Sequence, residues 1–197
     1  MKRLLLALAM AAAGCGTAPK EQYYTLAFPV AGAAPEAIAS PAAPVSVFVG
    51  PVSVPESVDR SPMVLRTSPT QVDIDDFHRW AEPLKSAIPR VLAESLTREL
   101  GSPRVMASRA ASSMPFDYRV AVEIQRFESS LAEGAALDAL WTVTPDKGAP
   151  RTGRSVLREP NGSGDRAGVA AAHGRALQRM AKEIAEAVKR GPGPLPR

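Results

Sequence analysis

The sequence predicts an α+β fold of two layers, with a mostly antiparallel sheet and two amphipathic helices packed on one of its faces. Three observations point there. Apolar residues recur at helical spacing in two stretches, about 83–100 and 165–190. They alternate with polar residues through 118–125 and 137–143, the period of a half-buried strand. The chain has 197 residues, 45% hydrophobic and 22% charged, which suits one core of ordinary size with additional segments outside it.

The chain opens with Lys2 and Arg3, followed by an uncharged apolar run over residues 4–13. A bilayer span takes ~20 residues, so this run has the proportions of an export signal instead. Ala12-Ala13-Gly14-Cys15 comes directly after it. Small residues before a cysteine admit a signal peptidase to the backbone, and the sulfur accepts a diacylglyceryl group. The motif resembles the bacterial lipobox. Residues 1–14 therefore read as a lipoprotein signal peptide, Cys15 as the lipidated first residue of the mature chain, and residues 15–21 as a tether. A plain secretory signal with an incidental Cys15 is the alternative. Each buried acyl CH₂ contributes ~0.8 kcal/mol, and two or three chains together hold a protein in the membrane. Gly16 stands where an Asp commonly retains lipoproteins at the inner membrane, which favours the outer one. Cys15 is the only cysteine, so an intrachain disulfide and a cysteine metal site are both excluded.

Gln22-Tyr23-Tyr24-Thr25-Leu26-Ala27-Phe28 is rich in strand formers and starts the folded domain, 22–190. Residues from about 29 to 44 are rich in Ala, Pro and Gly and read as a mobile loop. Residues 45–49 form a strand that Gly50-Pro51 interrupts and 52–54 resumes. Pro55 and Pro62 flank a turn carrying Glu56, Asp59 and Arg60. Residues 63–66 and 71–74 make a hairpin, after which Asp75 or Asp76 is placed to cap the first helix. That helix carries Leu84, Ile88, Val91, Leu92, Leu96 and Leu100 on one stripe. Pro83 fits its first turn, Pro89 predicts a kink, and Gly101 is its stop. A short strand at 104–107 precedes the hairpin of 118–125 with 137–143, and 154–158 adds a weaker strand. Residues 159–164 are a turn. The second helix then runs through Val169, His173, Leu177, Met180, Ile184 and Val188, with Lys189 and Arg190 complementing its C-terminal dipole. Residues 191–197, rich in Gly and Pro, read as a disordered tail.

The formal net charge is +4 and the sequence pI about 9.5. Lys2 and Arg3 belong to the signal, so the exported part is only mildly basic. Its arginines are dispersed, which argues against a nucleic-acid-binding face. The two histidines do not suggest a metal site: His173 lies on an apolar stripe and reads as a hydrogen-bonded core residue, and His78 beside Asp75 and Asp76 reads as part of a polar cap. No Gly-x-Ser-x-Gly elbow and no available cysteine nucleophile is present, so the sequence predicts neither an enzyme nor a cofactor. Asn161-Gly162-Ser163-Gly164 reads as a plain turn rather than an anion cradle. Asp59, Arg60, Arg66 and Glu82 read either as an ion-pair set used by a partner or as the set that fixes the turn before the first helix. Trp80 is either a core anchor or a docking aromatic.

Several of these segments together resemble one family. They are Val49-Gly50-Pro51-Val52-Ser53-Val54-Pro55, Asp59-Arg60, Met63-Val64-Leu65-Arg66, Phe77-His78-Arg79-Trp80-Ala81-Glu82-Pro83-Leu84 and Arg90-Val91-Leu92-Ala93. With Tyr23-Tyr24-Thr25-Leu26 and the lipobox, they are similar to the ABC-type transport auxiliary lipoproteins, the paraquat-inducible type that accompanies mammalian-cell-entry (MCE) domain proteins. The resemblance spans residues from Cys15 to about Val188 and is sharpest over 79–84. It implies a non-enzymatic lipoprotein at the outer membrane, facing the periplasm. Such a protein docks on an MCE assembly that moves lipids between membranes, with an inner-membrane permease or ABC transporter as an indirect partner. It also implies homo-oligomers and leaves open direct contact with lipid. The rival reading is a periplasmic structural or assembly lipoprotein that contacts peptidoglycan or outer-membrane proteins.

Overall fold

The computed structural model describes residues 20–27 and 44–193. The expected signal, Cys15, most of the tether and nearly all of the expected loop lie outside the described residues. Eight strands are present: β1 (Gln22–Tyr24), β2 (Val47–Ser53), β3 (Pro62–Ser68), β4 (Gln71–Trp80), β5 (Val105–Met106), β6 (Tyr118–Ser130), β7 (Gly134–Pro145) and β8 (Arg151–Glu159). Two helices accompany them, α1 (Leu84–Leu100) and α2 (Arg166–Lys189). The fold is α+β, as the alternating and helical periods predict.

β6 organises the sheet. On one side it forms a long antiparallel ladder with β7, which in turn pairs with β8. On its other side it carries two strands in succession, β2 along residues 118–123 and β3 at Ser129. β3 and β4 form an antiparallel hairpin, and β1 lies parallel to the end of β4. The sheet is mixed: four of its seven pairings are parallel, although the longest ladders are antiparallel. The parallel pairings join segments far apart in sequence, such as Val47 with Tyr118. Alternation within one strand carries no information about such a partner.

Both helices pack on one sheet face and against each other. α1 lies over β2 and β5, and α2 over β7 and β8. The predicted stripe of α1 is in the core, with Ile88, Val91, Leu92 and Leu96 fully buried. The helix continues through Pro89, which is itself buried. The bond that Pro89 forgoes would go to the carbonyl of exposed Lys85, where water can replace it. Gly101 ends the helix in the left-handed conformation, φ 61°, and the Ser102 N–H returns to the Thr97 carbonyl. α2 starts at Asp165, whose carboxylate accepts from the Gly168 N–H at 2.8 Å.

The capping role expected of Asp75 or Asp76 is not what these residues do. Both lie inside β4, which runs to Trp80 because β1 pairs with its last three residues and keeps them extended. Pro83 occupies the N-cap of α1, with no side-chain cap. Past α2, Gly191–Gly193 returns toward β8. The Gly193 N–H donates to the Ala149 carbonyl, and Arg151 donates to the carbonyls of Gly191 and Pro192. The rest of the expected tail lies outside the described residues.

Candidate functional site

The residues singled out from sequence gather around the corner where β4 turns into α1, but they do not form one cluster. Asp59, in the turn after β2, pairs with Lys85 of α1 at 2.6 Å. Glu82, in the β4–α1 corner, pairs with Arg90 in the second turn of the helix. Arg90 also reaches Glu94 at 3.0 Å and the Leu26 carbonyl at 3.1 Å, so one guanidinium ties the β1 segment to the corner. These partners hold its pKa above the usual arginine value, with Glu82 the main cause. Arg66 is elsewhere, on the hairpin. It pairs with Glu128 of β6 and donates to the carbonyls of Ser68 and Pro69, closing the hairpin tip. Its Nε is buried without a partner. Arg60 is exposed on the turn. The expected ion-pair set is thus three separate pairs, each between a turn or strand and a neighbouring element.

Trp80 is buried at the end of β4, with its edge toward Phe127 and His173 at centroid distances of 6.3 and 6.0 Å. The His173 ring stacks on Phe127 at 3.8 Å and 10°. Its Nε2 lies 2.9 Å from the Ser129 Oγ, while Nδ1 has no partner. Burial alone drives the His173 pKa from 6.5 down to about 3, so the ring is neutral. With Nε2–H donating to Ser129, the unpartnered atom is only an acceptor, a smaller loss than an orphaned N–H.

His78 belongs to a different arrangement. Its Nδ1 is 2.8 Å from the Asp75 Oδ1, and its ring faces Tyr24 at 5.9 Å. Arg166, at the start of α2, closes on the other Asp75 oxygen at 2.7 Å. Burial works against the Asp75 carboxylate, but hydrogen bonds from His78 and Arg166 outweigh it and hold its pKa below the usual range. Sequence reading missed Arg166 because 91 residues separate it from Asp75. Three further polar sets were equally illegible: Glu159 with Arg175 and Arg179, Asp138 with Arg154, and Ser155 between Trp141 and Glu183.

What this geometry does chemically is join elements. Asp59, Asp75 and Glu82 each have an arginine, lysine or histidine on them. Among the described residues no group of three or more His, Cys, Asp or Glu converges as metal ligands. Shallow clefts of about 260–400 Å³ mark the surface of the described residues. One lies where β2 leaves β6 and β3 has yet to join it, between Val58, Val64, Arg66 and Phe127. Among the described residues no helix is long and apolar enough to cross a membrane. The Asn161-Gly162-Ser163-Gly164 turn spends its polar groups on itself: the Asn161 side chain accepts from the Gly164 N–H and donates to the carbonyls of Leu131 and Asp165.

Residues 24–185 match the family model described as ABC-type transport auxiliary lipoprotein component. No curated protein matches the chain. Among solved structures, a crystal structure of an uncharacterised protein superposes with a TM-score of 0.68 at 16% identity, over 86% of this chain and 99% of the other. The crystal structure of the protein XCC0632 from Xanthomonas campestris gives 0.58 at 20% identity, over 86% and 91%. At these identities the likeness is one of fold.

Proposed function

This chain belongs to the family of ABC-type transport auxiliary lipoprotein components, and from that premise we propose that it is a non-enzymatic docking or conduit subunit of an MCE-type lipid transport system. It is anchored through lipid on Cys15 in the outer membrane, with its folded domain in the periplasm. Its direct partner is an MCE-domain protein, and an inner-membrane permease or ABC transporter is an indirect one.

The observation that carries this reading is the family match across almost the whole folded domain. Two features support it. Asp59, Glu82 and Asp75 around the β4–α1 corner are each paired with a cation or histidine, an arrangement that fixes shape rather than activates a nucleophile or a base. Cys15 ends an apolar signal-like run and has no other cysteine to pair with. An anchor of two or three acyl chains holds the domain at a membrane without a spanning helix.

A mild-detergent pull-down from membranes, with tagged wild type and Cys15→Ala side by side, tests the proposal. Wild type is expected to retain an MCE-domain protein, and the variant to move into the soluble fraction. A variant that stays with the membrane overturns the anchor. Persistent absence of any MCE protein, with cell-wall or outer-membrane proteins in its place, overturns the transport role in favour of a structural lipoprotein.

A further inference from the structure

β1 pairs with only three residues of β4, His78 to Trp80, so residues 71–75 of β4 have no described strand on their outer side. An open edge of this kind is a template for another extended segment. β1 is parallel to β4, so the chain before Gln22 heads back along β4 toward the tip of the β3–β4 hairpin. It is still beside β4 where β1 begins, with the Glu21 carboxylate 3.3 Å from the Arg79 Nε.

The lengths match. β4 makes a detour at residues 76–78 that β3 does not share, so the distance is best counted along β3. Pro62 stands opposite Arg79 and Ser68 opposite Gln71, six residues apart, or about 20 Å. Tyr23 is level with Arg79, and Cys15 precedes it by eight residues, or about 26 Å when extended. Cys15 thus reaches the hairpin tip with a residue or two to spare. The alternation also fits. The Ala81 N–H donates to the Tyr24 carbonyl at 2.8 Å, so Tyr24 turns its backbone toward β4. Gln22, Lys20, Ala18 and Gly16 take the same sense in a continuing strand. Pro19 falls on the outward sense, the one place where a missing N–H costs an edge strand nothing.

We infer that the tether continues β1 down the open edge of β4, so that lipid on Cys15 leaves the domain at the β3–β4 tip and that end of the sheet rests on the bilayer. The occupant of the edge is the tether because β1 already delivers it there, at an intramolecular concentration that no separate chain matches. The tip itself, Ser68-Pro69-Thr70-Gln71, is uncharged and meets no repulsion at a lipid surface. The bilayer contact rests on the lipidation of Cys15 proposed above; the strand pairing does not.

Hydrogen exchange of the full-length protein, in vesicles of phosphatidylethanolamine and phosphatidylglycerol, tests the pairing. Wild type is compared with Ala18→Pro, which removes an N–H facing β4, and with Thr17→Pro, which removes one facing away. The outward amides of residues 71–75 are expected to be protected in wild type and in Thr17→Pro, and to exchange at least tenfold faster in Ala18→Pro. Free exchange in wild type, equal effects of the two prolines, or protection that ignores Ala18→Pro and is lost on dilution, as a second copy on the edge would give, each overturns the inference. For the orientation, a fluorophore is placed on Thr70→Cys or on Lys147→Cys, an exposed turn past the other end of the β6–β7 ladder. Nitroxide lipids should quench the first and spare the second; equal or reversed quenching overturns the contact. A wild type found in the soluble fraction overturns the anchor and the bilayer contact together, while exchange still decides the pairing.

Discussion

His173 shows how one buried side chain ties stability to pH. Its ring is neutral in the fold, with a pKa near 3, and ordinary near 6.5 in the unfolded chain. The contribution is complete above pH 6.5 and declines as the unfolded state gains a proton that the folded state refuses. The decline runs from about 6.5 toward 3, at up to about 1.4 kcal/mol per pH unit. Urea midpoints at pH 7 and pH 4.5 should therefore differ more for wild type than for His173→Gln, whose side chain does not titrate. Equal differences would place the acid sensitivity elsewhere. His173 was legible as a core histidine from its place on an apolar helical stripe. Its partners Ser129 and Phe127 were not, because nothing local marks which strand a helix covers.

At the level of elements, the polar joints matter as much as the apolar stripes. Asp75 holds β4 to the first turn of α2 through Arg166 and to its own strand through His78. Asp75→Asn keeps the shape but removes the charge from a buried site that faces a guanidinium. A loss of about 1–3 kcal/mol at pH 7 is expected. The sign with pH is that of a depressed carboxylate: the contribution is present above the ordinary Asp range and disappears as pH falls through it. Wild type and Asp75→Asn should converge in denaturant titrations at acid pH, and a gap that persists there would mean that packing, not charge, causes the loss. Elements with a strong period were readable in the sequence, α1 and α2 to within a residue or two and β6 with β7 as a hairpin. The end of β4 was not, since its bulged course and the three-residue β1 beside it leave no alternation to follow.

At the scale of the whole molecule, composition and the two helical stripes were enough to indicate one α+β core with helices on one face. The mixture of parallel and antiparallel pairing was hidden, because it depends on which distant strands meet at β6. The candidate site divides in the same way. Trp80, Arg66, Glu82 and Asp59 could be singled out in the sequence, but the partners of the three charged residues, Lys85, Arg90 and Glu128, come from the three-dimensional arrangement. Three separate ion pairs replaced the single set that their closeness in sequence suggested.

The double duty of β6 also fixes when the domain can come into being. β2 and β3 are made early, yet the strand that both lie against begins only at Tyr118. Until that stretch is synthesised, the first half of the chain holds the β1, β4 and β3 strands, a helix and a two-residue β2–β5 contact, without the central strand over which the core closes. Contacts this distant in sequence are slow to form. A fragment of residues 1–117 should accordingly show no cooperative melting by calorimetry, and a sharp transition in that fragment would contradict the point. For a polypeptide that is threaded through a membrane before it takes shape, as proposed here, this late keystone postpones folding until most of the chain has been made.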